Sequence, residues 1–375
     1  MSTELQRQVS ALRKTQLEVL PLQKGRPSLF LAPAEAAAVD VSTIHEAACN
    51  GLATLQQYDD RFGQFAGTLL DPASVDLQRE LKTAQENVAL DAQLAQLLRL
   101  LSLYALEPST HLVLEYLIRR FRVHEMNAHD LLQSMLLAHD HKIFARAVQL
   151  CKIADTPWAF LQGVKQSGLP LPRSALVLRL LKDSSLLELL GQYVQSALEL
   201  VVPRGAVPSI GASVSPQSVQ GANRVLSFYT AVVVELAEER VDDAAVRHMY
   251  LFLVEGLKNN YADAFNNGNG NGMGGFSILD QWRRSCCMIL AQLSARTAFS
   301  KPLTKVFSAA LGEAFAKAER GGGQARREIA LAAVLLAANR KMRVNHKVLL
   351  ALLGQRQGQE QGNGKSRVKG KQGGE

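Results

Sequence analysis

The feature that most constrains this chain is the spacing of its apolar residues, which recur every three or four positions through most of the sequence. In residues 114–121, for example, the residues Leu114, Leu117, Ile118 and Phe121 form one stripe of a helix. No segment alternates apolar and polar residues with a period of two, so strands are not expected. The sequence therefore predicts an all-α protein.

The predicted helices follow one another in pairs, a pattern typical of a helical-repeat solenoid of HEAT or armadillo type. We expect a less regular helical region over residues 1–90, the solenoid over 91–354, and a disordered, low-complexity basic tail over 355–375. The predicted pairs are 111–122 with 128–138, 141–153 with 157–167, 173–183 with 185–201, 217–240 with 243–259, 277–299 with 303–319, and 325–339 with 345–354.

Two internal segments interrupt the helical pattern. Residues 202–221 are rich in Pro, Gly and Ser, which predicts a long interhelical loop. Residues 266–275 read NNGNGNGMGG, a low-complexity composition that predicts a flexible linker. In the N-terminal region, helices are expected near 4–17, 42–57 and 60–70.

Short polar residues mark the predicted helix starts, because their side chains accept hydrogen bonds from the first N–H groups of a helix. Asn127 followed by Asp130 resembles a capping box, and Ser185 with Glu188 has the full pattern. Further predicted caps are Asp140, Thr156, Ser215 and Asp242, with Pro157 and Pro216 at first helical positions.

The positive charge of the chain is concentrated at one end. Residues 320–375 contain twelve Lys or Arg against three acidic residues, a net +9, whereas the whole chain carries +8 and residues 1–319 therefore carry −1. A basic end favours contact with nucleic-acid phosphates, although many such tails only keep a protein soluble. The candidate RNA-contacting residues are Lys365, Arg367, Lys369 and Lys371.

Cysteine usage and hydropathy narrow the class of protein further. The chain contains no C-x-x-C, so neither a disulfide framework nor a zinc knuckle is expected, and a reducing compartment is favoured. No apolar run approaches about 18 residues and the N-terminus lacks an apolar core, so no membrane span or signal peptide is expected. The four cysteines are Cys49, Cys151, Cys286 and Cys287.

No metal site or catalytic motif is expected. A zinc site on one helix needs histidines at i and i+4 near a carboxylate. The histidines of the busiest segment instead fall at predicted interhelical turns, and the chain has no G-x-S-x-G, H-E-x-x-H or credible Cys–His arrangement. The sequence GNGKS at 362–366 lacks the first glycine of a P-loop, which Gln359 replaces. We therefore expect no enzyme, cofactor, metal or small-molecule substrate; the histidines in question are His124, His129, His139 and His141.

An arginine cluster ends the helix predicted over residues 111–122. Glu115 is placed to pair with Arg119 four residues later. Two interpretations stay open, a solvated outer face or a docking surface for an acidic partner or a phosphate backbone. The candidate partner surface comprises Arg119, Arg120 and Arg122.

Four segments carry a family resemblance. LEYLIRRFRVHEMNAHDLL, HDHKIFARAVQLCKI and WAFLQGVKQSGLPLPR follow one another from Leu114, and SLFLAPAEAAAVD occupies residues 28–40. In order and spacing they resemble the amino-terminal region of the U3 small nucleolar RNA-associated protein 10 family, also called HEAT-repeat-containing protein 1. The family pattern includes a helix of the form L-E-x-L-I-R-R/H, then K/R-I-F-x-R-x-x-Q-L, then V-K-x-S-G-x-P.

The resemblance implies a non-enzymatic scaffold of the small-subunit processome. The family works in the early-acting, transcription-linked subcomplex of the U3 snoRNP, where it serves pre-rRNA processing, 18S rRNA maturation and RNA polymerase I transcription. The implied partners are WD40-propeller subunits, the U3 snoRNP and pre-rRNA, and the implied location is the nucleolus.

The resemblance leaves two questions open. Family members are much longer than this chain, so it is expected to be a piece of a longer protein or a short paralogue. No ligand-contacting residue is carried over from the family. The alternative function is a generic armadillo-like adaptor outside ribosome biogenesis.

Overall fold

The computed structural model describes residues 26–202, 214–239, 241–258, 278–297, 299–318 and 323–339. Over these residues the chain forms sixteen α-helices and no strand, so the predicted all-α, helical-repeat class is confirmed. The helices are α1 Pro33–Ala38, α2 Val41–Tyr58, α3 Gly63–Ala66, α4 Ala84–Leu101, α5 Pro108–Phe121, α6 Val123–Met126, α7 Ala128–Ser134, α8 Lys142–Leu150, α9 Gln162–Ser167, α10 Arg173–Lys182, α11 Leu186–Val201, α12 Pro216–Leu236, α13 Asp243–Lys258, α14 Ile278–Arg296, α15 Lys301–Lys317 and α16 Gly323–Asn339.

Alternate helices stack on one another in the second half of the molecule. Helix α11 packs on α13, α12 on α14, α13 on α15 and α14 on α16, which gives two parallel rows of helices. Each row buries the apolar stripe that its helices carry, as expected for stacked helical repeats. The N-terminal half is less regular, and its most extensive contact joins α2 to α5.

The pairing of consecutive helices differs from the sequence prediction by one helix. The extensive contacts join α11 to α12, α13 to α14 and α15 to α16. The sequence instead pairs α10 with α11, α12 with α13 and α14 with α15. The physical reason is that an apolar stripe identifies which face of a helix is buried, but it does not identify the helix that covers this face.

The predicted loop 202–221 overlaps the predicted helix 217–240, and the structure gives the overlap to the helix. Residues 216–221 form the first turns of α12, with Pro216 at its first position as predicted. Helix α4 is absent from the predicted helices, although Thr83 and Glu86 form a complete capping box at its start. Conversely, the helix expected near 60–70 is a 3₁₀ turn followed by the short α3.

Several expectations lie outside the described residues. They are the helix near 4–17, most of the loop 202–221, the linker 266–275, the helix 345–354 and the basic tail 355–375.

The predicted caps are partly confirmed. Ser215 accepts from Ser218 N at the start of α12, and Asp242 accepts from Ala245 N at the start of α13. The capping box at Asn127 is wrong, because its side chain bonds to Arg79 and Asp91 instead.

The remaining caps differ in smaller ways. The cap position of α8 is His141 and not Asp140. Ser185 donates to Asp183 and does not cap α11. Thr156 accepts from Trp158 N, but at a turn that leads into a 3₁₀ segment.

One continuous apolar core runs from Leu29 to Leu336 and includes the fully buried Trp158, Tyr193 and Tyr229. Burial raises the pKa of both tyrosine hydroxyls. Within the described ranges, no helix has the length and apolar character needed to cross a membrane.

Candidate functional site

The structure turns two of the three clustered arginines inward. Arg119 donates from Nε to Glu115 Oε1 at 2.9 Å, and its side chain is only 2% exposed. Its Nη1 donates to Val39 O at 3.4 Å, and Arg120 Nε donates to Ser74 O at 2.9 Å. The predicted pair between Glu115 and Arg119 is confirmed. The interpretation of Arg119 as part of a partner surface is wrong, because its side chain is buried and its guanidinium group contacts Glu115 and Val39 O inside the chain.

Arg122 is the cluster member that reaches solvent. Its side chain is 47% exposed and forms ion pairs with Glu80 and Glu125. Its backbone adopts the left-handed conformation, with φ of 51°, where α5 ends and α6 begins. A partner role for Arg122 stays a prediction, and a partner has to compete with both carboxylates.

The histidines of 124–141 occupy different environments. His139 Nδ1 lies 2.6 Å from Leu171 O, and Trp158 Nε1 donates to His129 Nδ1 at 3.2 Å. His124 is buried in α6, and burial lowers its pKa, whereas His141 is exposed. Among the described residues, no cluster of three or more His, Cys, Asp or Glu side chains has the arrangement needed to hold a metal ion.

The cysteines are free thiols, and three of them are buried. Burial raises the pKa of Cys151 and of Cys287 to about 12, and raises that of Cys286 as well. A nucleophilic cysteine needs a thiolate, which these environments disfavour. Cys49 Sγ lies 3.5 Å from His45 Nε2, but that same nitrogen lies 2.9 Å from Leu70 O.

A groove runs along the exposed side of α12, with a volume of about 690 Å³. A column of polar side chains on α12 forms one wall, and the 139–140 turn together with the start of α10 forms the other. The lining residues are His139, Asp140, Arg173, Gln220, Asn223, Arg224, Ser227, Phe228 and Ala231.

Helix α12 is fixed in place from the side opposite to this groove. Ser218 donates to Asp59 Oδ2 at 2.7 Å, and Arg61 Nη2 donates to Ser218 at 3.1 Å. Burial by itself raises the pKa of Asp59, but the hydrogen bonds from Arg61 and Ser218 outweigh it and keep this pKa below its ordinary value. Gly221 lets the helix approach Leu103, since a Cβ there would lie 2.5 Å from Leu103 O. These contacts anchor the first turns of α12, from which the groove wall extends.

The other wall is tied down at the His139 turn. His139 and Leu171 exchange a pair of contacts, because Leu171 N also donates to His139 O at 2.9 Å. This brings Arg173 to the groove, where it pairs with Glu235 at 2.8 Å. The His139 ring lies 5.1 Å from the Phe228 ring and closes the floor.

This groove is not among the sites that the sequence predicts. The wall that Gln220 and Asn223 form begins within residues 202–221, whose composition predicts a loop. A usable signal is present, since Gln220, Asn223 and Ser227 recur at i, i+3 and i+7, which places three polar side chains on one helix face. The candidate RNA-contacting residues Lys365, Arg367, Lys369 and Lys371 lie outside the described residues.

These features define the class of the protein, a helical-repeat protein of the HEAT type. No family model matches the chain. Curated relatives do match it. HEAT repeat-containing protein 1 of Homo sapiens is 28% identical over 299 residues, or 78% of this chain.

The HEAT repeat-containing protein 1 homolog of Drosophila melanogaster is 34% identical over 207 residues, or 54% of this chain. U3 small nucleolar RNA-associated protein 10 of Schizosaccharomyces pombe is 34% identical over 201 residues, or 53% of this chain. The resemblance to the U3 small nucleolar RNA-associated protein 10 and HEAT repeat-containing protein 1 family is therefore confirmed. The chain spans 10% to 13% of the length of these three relatives.

Proposed function

We propose that this chain is a non-enzymatic scaffold segment that acts with the U3 snoRNP in ribosome biogenesis. The observation that carries the proposal is its similarity to relatives named for association with U3 small nucleolar RNA. The helical-repeat fold supports it, because stacked helices present long surfaces for several partners at once. Burial raises the pKa of Cys151, Cys286 and Cys287, so these three thiols are poor nucleophiles.

The finer proposal places the chain in the early-acting, transcription-linked subcomplex of the small-subunit processome. There it contacts WD40-propeller subunits, promotes pre-rRNA processing and 18S rRNA maturation, and supports RNA polymerase I transcription in the nucleolus. No small-molecule substrate or cofactor takes part.

Affinity purification of the tagged chain from nuclear extract tests the proposal. We expect enrichment of U3 RNA and of WD40-propeller proteins, and nucleolar fluorescence of the tagged chain in cells. As a control for the effect of changing one exposed charge, Arg247→Glu on α13 is expected to recover the same RNA and proteins as the original chain. Recovery of importins or tubulin without U3 RNA contradicts the proposal and supports the armadillo-like adaptor.

Direct RNA contact is proposed for the basic end of the chain, through Lys365, Arg367, Lys369 and Lys371. Filter binding to single-stranded RNA over a salt series measures it. Deleting residues 356–375 is expected to lower affinity and reduce the salt slope, which is about −0.7 per neutralised phosphate. Arg122→Glu serves as the helix-side comparison, because reversing the buried Arg119 damages the fold instead. If only Arg122→Glu abolishes binding, the helix and not the tail is the RNA surface.

A further inference from the structure

Three strongly exposed apolar side chains lie on three neighbouring elements of the first region. Leu81, at the end of the 3₁₀ turn Arg79–Leu81, is 80% exposed; Val88 in α4 is 69% exposed, and Met126 in α6 is 63% exposed. They are three of the five most exposed large apolar side chains in the described part of the chain. Single apolar residues on a surface need no explanation, whereas a group of them marks an interaction surface.

One side chain joins the elements that carry Leu81 and Val88. Asn87 Nδ2 donates to Arg79 O at 3.1 Å and to Lys82 O at 3.3 Å. Leu81 lies between these two acceptors in the chain, and Val88 directly follows the donor. The turn and the start of α4 are therefore held side by side at these two apolar residues.

Met126 is joined to the same place through its chain neighbour Asn127. Arg79 Nη1 donates to Asn127 Oδ1 at 3.0 Å, and Asn127 Nδ2 donates to Asp91 Oδ1 of α4 at 3.0 Å. Arg79 and Asn127 are both buried, so these bonds fix the junction from beneath. The three exposed side chains therefore form one surface, which we call the apolar patch: Leu81, Val88 and Met126.

The apolar patch lies in an acidic part of the chain. Residues 74–91 and 120–130, which surround it, contain four Lys or Arg against six acidic residues, a net −2. Arg122 forms ion pairs with both Glu80 and Glu125, so this group of three side chains keeps one negative charge. The surroundings of the patch therefore attract a positively charged partner and repel nucleic-acid phosphates.

Two further carboxylates lie close to each other at this junction. Burial raises the pKa of Asp130, the nearby Asp91 carboxylate adds to this effect, and His129 opposes it. Arg79 pairs with Asp91, and within the described ranges no Lys or Arg pairs with Asp130. A basic side chain that approaches this pair offsets the repulsion between the two carboxylates.

We propose that the apolar patch is a docking surface for a basic amphipathic helix of a partner protein. A helix suits this surface because it presents an apolar stripe with charged residues on both sides. The stripe covers Leu81, Val88 and Met126, and the basic residues of the helix lie against Glu80 and Glu125. The inference goes beyond the scaffold role and does not depend on it, because it concerns the purified chain and a peptide alone.

The test measures binding of a fluorescein-labelled peptide to the full chain by fluorescence anisotropy. The peptide has about 18 residues, with leucines at helical spacing on one face and lysines on the other. We expect saturable binding that weakens with salt. Two control peptides are expected to bind at least about tenfold more weakly. One has glutamate in place of each lysine, and the other has the same composition with its leucines spread around the helix.

Substitutions in the apolar patch locate the binding. Combining Leu81→Ser with Met126→Ser is expected to lower affinity by about tenfold or more, since it removes two apolar contacts. Leu251→Ser on α13 is the matched control, because Leu251 is 65% exposed and lies on another helix. This control is expected to bind normally. Thermal melting verifies that each variant is folded.

Substitutions of the carboxylates test the charge preference. Combining Glu80→Gln with Glu125→Gln is expected to lower affinity by about fivefold and to reduce the dependence on salt. The matched control combines Glu238→Gln with Glu239→Gln, which changes the total charge equally at two exposed positions after α12. The control is expected to bind like the original chain.

The proposal is overturned by any of four results. They are no saturable binding of the lysine–leucine peptide, equal binding of either control peptide, full affinity in the double serine variant, and an equal loss in Leu251→Ser. Two other occupants are also tested. Light scattering that shows a dimer in the original chain and a monomer in the double serine variant assigns the patch to a second copy.

The chain itself contains one more candidate occupant. Residues 1–25 contain four Lys or Arg against two acidic residues, together with several leucines. Deleting them is expected to leave the affinity for the peptide unchanged. A rise of about tenfold assigns the patch to this segment and not to a partner.

Discussion

Residues 26–202 and the described residues of 214–339 are both built of packed helices, but different contacts join the segments that are distant in sequence. In the first region, arginines reach main-chain carbonyls far along the sequence: Arg79 donates to Phe121 O at 3.0 Å, and Arg146 donates to Ser28 O at 3.0 Å. In the second region, long helices pack closely against one another, and the Phe252 and Trp282 rings, for example, lie 5.7 Å apart.

Helix length accounts for the difference. The first region contains many short helices and 3₁₀ turns, such as α3, α6 and α9. Every helix end leaves carbonyl groups without an intrahelical donor, so a region with many ends needs many donors from elsewhere. The guanidinium fork supplies several donors from one side chain. The long helices α12 to α16 satisfy most of their own carbonyls and pack through apolar side chains. Arginines in the first region are therefore often structural.

The largest expected effect comes from breaking one of these buried arginine contacts. Arg119→Met leaves Glu115 buried with a charge that, among the described residues, only Leu29 N–H still contacts, at 2.7 Å. Removing one partner of a buried ion pair costs about 3–5 kcal/mol. Urea denaturation is expected to show a loss of that size in the free energy of unfolding. Arg247→Met, on the exposed face of α13, is the control; a similar change in both variants contradicts the structural role of Arg119.

A glycine in the second region tests close helix packing. At Gly256 a Cβ would lie 2.5 Å from Cys286 Sγ and 2.6 Å from Trp282 Nε1. Gly256→Ala therefore forces α13 away from α14, and overpacking of this kind costs about 1–3 kcal/mol. Gly312→Ala in α15 is the matched control, because the space around its Cβ is open.

The control is expected to raise stability by about 0.5–1 kcal/mol, since alanine loses less backbone entropy in a helix. Thermal melting of both variants measures the difference. An equal change in melting temperature at the two glycines shows that α13 and α14 can separate without loss of stability. In that case close helix contact does not stabilise the second region.

A smaller effect follows from burial of His124 in the first region. Burial lowers its pKa below the ordinary 6.5, with Glu125 opposing this change and Arg122 adding to it. When the pKa of a base is lower in the folded chain than in the unfolded chain, the unfolded chain binds the proton more readily. The stability of the folded chain is therefore unaffected by this histidine above pH 6.5 and falls as the pH drops from 6.5 toward the folded pKa.

Urea denaturation between pH 7.5 and about pH 5 checks this expectation. His124→Gln cannot take up a proton, so its stability is expected to fall less over the same range. His111 also has a pKa lowered by burial and remains in this variant, so some pH dependence persists. If the variant loses as much stability as the original chain over this pH range, groups other than His124 cause the loss.

The two regions also differ in how much the sequence predicts. The helices of the second region follow from the apolar period and from caps such as Ser215 and Asp242, because each helix is long enough to show its stripe. In the first region, Arg119 and Arg120 appear in the sequence as a basic surface. Their acceptors, Val39 O and Ser74 O, are far away in the chain, so no local pattern reveals them.

The groove along α12 illustrates the same limit. The polar column on one helix is visible in the sequence, but its opposite wall comes from residues 139–140 and Arg173, which only the tertiary packing brings there. The features that apolar periodicity does not predict, such as the opposite wall of the groove and the buried arginine contacts, therefore arise mostly from contacts between segments that are distant in sequence.

The smallest expected effect concerns Arg122, the exposed member of the arginine cluster, and it separates the surface arginine from the buried ones. Two contributions to stability compete at this position. Its ion pairs with Glu80 and Glu125 are largely exposed, and such pairs contribute about 0–1 kcal/mol. Its left-handed backbone, with φ of 51°, costs a residue with a Cβ about 1–2 kcal/mol relative to glycine.

Arg122→Ala removes the ion pairs and keeps the backbone cost, so a loss of about 0.5 kcal/mol is expected. Arg122→Gly removes both, so this variant is expected to be more stable than Arg122→Ala by about 1 kcal/mol. Urea denaturation of the two variants in parallel measures the difference. A loss of about 3 kcal/mol or more in both variants places Arg122 with the buried arginines. In that case the division between a structural interior and an exchangeable surface charge does not hold within this cluster.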